Sequence, residues 1–209
     1  MNAQIFCKYS TKTSPSIIDP IPHFVGHEVI VWLAVLQKPH DFSFSFYIDD
    51  FMYQENMLVR EHVRLCHDVL VLTSTETFDD GGVLTYIDPS TYIGSDGATV
   101  KRLPYGGFLP SKLARKLRYH ASVYEELLQF APDVIMFHGM CGFELYTVSR
   151  YIAKHPNVVL YADSHEDFNN SATTFLSRTL LYRLFYVPVI RSSLKYISKV
   201  LYITYETKL

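Results

Sequence analysis

Short apolar runs that end in polar clusters, separated by stretches of helical periodicity, constrain this chain more than any other feature. Val69-Leu70-Val71-Leu72 closes with Thr73-Ser74-Thr75, Val134-Ile135-Met136-Phe137 closes with His138-Gly139, and Val158-Val159-Leu160 opens into the polar tract 161–170. Runs so short, continuous and β-branched are what a strand buried on both faces requires. Before the first of them, residues 53–65 set Leu58, Val63 and Leu65 among Gln54, Glu55, Arg60, Glu61 and Arg64, an amphipathic helix. Parallel strands cannot be joined by a tight turn, so a strand, helix, strand sequence within about thirty residues builds a right-handed crossover.

Continued along the chain, the same reading predicts a first strand within 42–48, where Phe44, Phe46 and Ile48 alternate with smaller residues and Asp49-Asp50 forms the polar tip. Residues 76–107 are rich in Gly and Pro and read as an extended insertion with a third strand near Thr99–Leu103. A helix capped by Ser111 runs, with a break, to Phe130, where Ala131-Pro132 stops it. A fourth strand at 134–137, a helix at 143–154, a fifth strand at 158–161, a helix capped by Asn170-Ser171 and interrupted by Pro188, and a sixth strand at 200–203 complete the pattern. The expected fold class is α/β: a Rossmann-like, mostly parallel sheet with helices on both faces.

Pro15, Pro20, Pro22 and Pro39 make residues 1–41 read as an irregular leader, and residues 42–209 as the domain. Within the leader, Val29–Leu36 is either a buried strand or a shallow interfacial segment, being far shorter than the roughly 20 residues that span a bilayer. No later segment has the length and apolarity of a transmembrane helix, and Met1–Ser10 has no secretory pattern. A formal net charge of -2 excludes a nucleic-acid protein that works by phosphate neutralisation. Cys7, Cys66 and Cys141 are odd in number and far apart, which suggests neither a disulfide framework nor a cysteine-based zinc site. A reducing, cytoplasmic setting fits this usage.

In an open α/β sheet, ligands bind beyond the carboxyl ends of the strands, so residues that follow buried strands are the first candidates for chemistry. The tract after the fifth strand offers Asp163, His165, Glu166, Asp167 and Asn169, and the fourth strand ends on His138. Asp163, His165 and Asp167 at alternate positions point to one side of an extended segment, so a metallohydrolase cluster is one alternative. Carboxylates there can equally orient the loop or accept hydrogen bonds from sugar hydroxyls. Asn169-Asn170-Ser171 has the pattern of a glycosylation acceptor, but in a cytoplasmic chain it reads as a helix cap.

Taken together, Tyr53-Gln54-Glu55-Asn56 at the first helix, His67–Thr73 at the second strand, Ala131–Gly139 at the fourth and Asp163-Ser164-His165 after the fifth resemble the N-terminal domain of a GT-B glycosyltransferase of the family-four group. The resemblance covers residues 42–209 and has no counterpart for the leader. It implies the acceptor-side half of an enzyme that transfers a sugar from a nucleotide-activated donor to a glycan or lipid-linked acceptor, with retention of configuration. His165 and His138 are the implied catalytic residues, and Gln54, Asn56, Asp163 and Asn169 the acceptor-binding ones. No cofactor is implied; the nucleotide sugar is a co-substrate held mainly by a C-terminal donor domain, expected to be missing here and encoded separately if the enzyme is split.

Two departures accompany the resemblance. The loop Asp50-Phe51-Met52-Tyr53 lacks the glycines that approach a donor diphosphate, and Cys66 stands where glycine commonly ends the first helix. If that left-handed geometry is kept, the substitution costs on the order of 1 kcal/mol. Lys112, Arg115, Lys116 and Arg118 alternate with Leu113, Leu117 and Tyr119, a surface that in the family can rest on the inner face of a membrane. A solvated charged face is the alternative, and a non-catalytic interaction module is the alternative for the whole chain.

Overall fold

The structure, a computed structural model, describes residues 27–32, 47–51, 54–164 and 183–202. In chain order the elements are β1 (His27–Trp32), α1 (Gln54–Arg64), β2 (Asp68–Ser74), β3 (Glu76–Phe78), β4 (Leu84–Tyr86), β5 (Ser90–Ile93), β6 (Thr99–Leu103), α2 (Ser111–Leu117), α3 (Val123–Phe130), β7 (Val134–His138), α4 (Glu144–Lys154), β8 (Val159–Ser164), α5 (Val187–Ser193) and β9 (Lys199–Tyr202). The chain is a mixed α/β protein. Among the described residues, the larger sheet has seven strands in the order β5-β6-β2-β1-β7-β8-β9, and β3 and β4 form a separate antiparallel ladder. β6, β2, β1, β7, β8 and β9 run parallel, and only the edge strand β5 runs against its neighbour.

The first strand differs from the sequence expectation. It lies at His27–Trp32, inside the segment read as leader, and is hydrogen-bonded between β2 and β7. Residues 42–46, where it was expected, lie outside the described residues, while Tyr47 and Ile48 carry no strand. The apolar run beginning at Val29 has the continuity a central parallel strand needs, whereas the alternation at 44–48 matches a half-buried strand. One smaller correction concerns a helix start. Pro110, not Ser111, occupies the cap of α2, without a side-chain capping bond. Pro188 lies in the first turn of α5, directly after a π-helical turn at residues 183–186, so it stands where a helical run changes from π to α, in keeping with the expected interruption. The expected cap at Asn170-Ser171 is outside the described residues.

Alternate residues of β2, β7 and β8 divide between two cores. Leu70 and Leu72 of β2, Ile135 and Phe137 of β7, and Leu160 and Ala162 of β8 pack with Val123 and Leu127 of α3, Leu145 and Val148 of α4, and Ile190 of α5. Val69 and Val71, Val100 of β6 and Met136 pack on the other face with Val59 of α1. Helices therefore cover both faces, as the continuous apolar runs require. Burial of a Val, Leu or Phe side chain contributes about 1.5–3 kcal/mol, so the many residues of the larger core dominate stability.

Non-glycine residues end three helices in the left-handed region. Cys66 has φ 68°, the conformation expected for it, and Arg118 and Ala131 close α2 and α3 with φ 53° and 51°. Cys66 is disulfide-bonded, although the cysteine spacing suggested no disulfide framework; Cys141 is a free, buried thiol. Among the described residues, no helix is long and apolar enough to cross a membrane.

Candidate functional site

His138 and Asp163 meet because of strand register. Phe137 of β7 pairs with Ala162 of β8, so the next residue of each strand lies side by side at the carboxyl end of the sheet. By alternation both leave the face of the larger core. His138 Nδ1 is hydrogen-bonded to Asp163 Oδ2, and both side chains are buried, 4% and 3% exposed. The other carboxylate oxygen, Oδ1, accepts the backbone N–H of Gly139 at 2.9 Å. Gly139 has φ 71°, a value glycine reaches without the steric cost a Cβ would bring, and this turn carries its N–H back to Asp163.

The segment that follows is pinned at several points. Met140 and Cys141 enter the larger core, and Phe143 N–H donates to Leu117 O at 2.8 Å. Glu144, the first residue of α4, is fully buried and accepts the backbone N–H of His120 at Oε1. The same oxygen stands 3.7 Å from His120 Nδ1, and the His120 ring packs on Tyr105 at a centroid separation of 4.3 Å.

Next to this segment, two buried arginines hold together the loops after β2 and β6. Arg118 Nη1 donates to Glu76 Oε2 at 2.7 Å and to the Tyr105 hydroxyl. Tyr105 itself donates to the same Glu76 oxygen at 2.9 Å. Burial pushes the Tyr105 phenol well above the ordinary tyrosine value, against the pull of Arg118 and with a contribution from Glu76. Burial opposes the Arg118 charge, but Tyr105 and Glu76 outweigh it and raise its pKa. Arg102 Nη2 pairs with Asp49 Oδ2 at 2.6 Å, its Nε donates to the Tyr92 hydroxyl at 2.9 Å, and its Nη1 reaches the carbonyls of Tyr47, Ser74 and Glu76, each at 3.3 Å. Burial and the bond to Asp49 push the Tyr92 phenol up to about 12.

Of the residues singled out from sequence, His138 and Asp163 are brought together. Asp163 is not open to an acceptor: both its oxygens serve His138 and Gly139. Asn56 is likewise buried, and its Nδ2 donates to Ile48 O at 2.9 Å, tying α1 to the segment before it. Gln54 begins α1. His165, Asp167 and Asn169 lie outside the described residues. Among the described residues, no group of three or more His, Cys, Asp or Glu side chains is placed to hold a metal ion. Sequence reasoning missed Glu76, Arg102 and Glu144, and it placed Arg118 on the exposed basic surface of α2, whereas Arg118 is buried and paired with Glu76. The rule that selected His138 also selects Glu76, which follows the polar tip of β2; the arginines carry no such signal.

Comparison with family models, with curated proteins and with solved structures finds no match for this chain.

Proposed function

We propose that this chain is the acceptor-side half of a GT-B glycosyltransferase, moving a sugar from a nucleotide-activated donor to a glycan or lipid-linked acceptor. The observation that carries the reading is the buried pair of His138 and Asp163 at the carboxyl ends of β7 and β8. Counting only the parallel strands in chain order, the large sheet runs 3-2-1-4-5-6, which supports a Rossmann-like, doubly wound architecture. In that architecture the direction of winding reverses between β1 and β7, and the crevice at the reversal is the preferred ligand position. His138 stands at that reversal, as the backbone partner of Trp32.

In this reading His138 engages the acceptor hydroxyl, and the donor phosphate takes the hydroxyl proton as the new glycosidic bond forms, the bond from the anomeric carbon to that phosphate breaks and the nucleotide leaves. The nucleotide sugar is a co-substrate gripped mainly by a second domain, and His165 joins the site from the segment after β8. Exposed Lys112, Arg115 and Lys116 on α2, with Phe108 78% exposed before them, favour peripheral contact with an anionic membrane that carries the acceptor.

The test is sugar transfer by the chain together with a donor-domain partner, using a panel of nucleotide sugars and of glycan and lipid-linked acceptors. His138→Ala is expected to lower turnover about a hundredfold while thermal unfolding stays cooperative. Absence of transfer across the panel would overturn the reading, and unchanged turnover in the variant would remove His138 from the site.

A further inference from the structure

We infer that Asp163 is a positioning residue: it fixes the tautomer of the neutral His138 imidazole, in which Nε2 is left as a nitrogen that accepts and does not donate hydrogen bonds. The inference concerns the same site and rests on the reading that His138 belongs to it.

The geometry supplies both halves of the argument. An ionised carboxylate only accepts hydrogen bonds, so the short contact between Asp163 Oδ2 and His138 Nδ1 requires the proton on Nδ1. In a neutral imidazole the other nitrogen then carries the lone pair. Asp163 is itself held, because its second oxygen takes the Gly139 N–H at 2.9 Å. Ring and following backbone are thus gripped by one carboxylate from the neighbouring strand, which leaves the imidazole little freedom to turn over. Burial of both side chains keeps water from competing for these bonds.

Nε2 is itself buried, and a group that reaches an acceptor-only nitrogen there must bring its own proton, as a hydroxyl or an amine does, because an ether, carbonyl or phosphoryl oxygen would set two lone pairs against each other. By accepting a hydrogen bond from a sugar hydroxyl it raises electron density on that oxygen, with no proton transfer to the ring. Asp163 acts through His138 and does not touch the substrate.

Ring-nitrogen NMR of histidine-labelled protein at about pH 8, where an ordinary imidazole is neutral, reads the tautomer directly. His138 is assigned by its loss in a His138→Gln variant. A protonated Nδ1 and an unprotonated Nε2 are expected; the reverse pattern in the wild type would overturn the inference and needs no further variant. Asp163→Asn keeps the shape and an oxygen for Gly139 but turns an N–H toward Nδ1, so the proton is expected to move to Nε2. An unchanged pattern in that variant would also overturn the inference. With the tautomer reversed, kcat for transfer is expected to fall about a hundredfold at nearly constant KM; an unchanged kcat would reduce Asp163 to a structural role and overturn its positioning function. Absence of transfer in the wild type, with the tautomer as expected, would fail the glycosyltransferase reading and leave the tautomer assignment standing.

Discussion

Arg118 and Glu76 form an ion pair of 2.7 Å with their side chains only 3% and 1% exposed, joining the end of α2 to the start of β3. Removing one partner of such a pair leaves an uncompensated buried charge, which typically costs about 3–5 kcal/mol. Glu76→Ala should therefore lower the free energy of unfolding by about that amount, seen as a lower urea midpoint. Glu76→Leu combined with Arg118→Met should lose less than Glu76→Ala alone, because no lone charge remains. Equal losses in the two proteins would contradict the pair as the source of the cost.

Alkaline pH should destabilise the protein. Tyr92 is pushed up to about 12, and Tyr105 and Tyr47 are raised further, in each case with burial as the largest cause. A raised folded pKa contributes stability that is complete below the ordinary tyrosine value of about 10 and is lost as pH rises through the folded value. The unfolded chain releases these phenolic protons first, so stability should fall steadily from about pH 10 upward. Denaturant titrations at a series of pH values would reveal it, and Tyr92→Phe should flatten the slope between about pH 10 and 12. A slope unaltered by that substitution would exclude Tyr92 as a contributor.

Ala131 closes α3 at φ 51°, a left-handed position in which its N–H bonds to Leu127 O and its Cβ is strained. Ala131→Gly should stabilise the protein by about 1 kcal/mol, and Ala131→Val should destabilise it by a similar or larger amount. Thermal unfolding of the three proteins would order them Gly, Ala, Val from highest to lowest midpoint. Arg118, with φ 53°, should not respond in the same way, because its side chain belongs to the pair with Glu76.

Sedimentation with lipid vesicles would test the membrane contact. Lys112, Arg115 and Lys116 are exposed on α2, Arg115 lying over the Tyr86 ring at 4.2 Å. Binding to vesicles rich in anionic lipid should exceed binding to neutral vesicles and weaken as salt rises toward a Debye length of about 8 Å. Lys112→Glu with Lys116→Glu should lower the affinity by roughly 1 kcal/mol per charge removed. Equal binding to the two kinds of vesicle would dismiss an electrostatic contact.

What could be read in the sequence depended on whether the cause was local. β2, β6 and β7 announce themselves as short, continuous β-branched runs, and the expected Thr99–Leu103 matches β6 to the residue. The buried-strand reading of the run from Val29 holds in β1, but its place among prolines kept it from being read as part of the domain, while the alternation of Phe44, Phe46 and Ile48 drew the first strand to a segment that lies mostly outside the described residues. His138 was found because a polar residue at a strand end is visible in one dimension. The partner that engages it is not: Asp163 was expected to face an acceptor, and only the register of Phe137 with Ala162 turns it toward the histidine. Arg102 was overlooked and Arg118 was read as a surface charge for a related reason, since charged residues default to the surface and their partners lie 53 and 42 residues away.

The central strand also sets the tempo of folding. β1 is flanked by β2 and by β7, and roughly a hundred residues separate it from the latter. At a ribosomal pace of about 5–20 residues per second, one edge of β1 stays open for on the order of ten seconds in each newborn chain. During that interval its backbone is available to other nascent chains or to a chaperone. Slowing translation between β2 and β7 should therefore lower the yield of folded protein more than the same delay placed after β8.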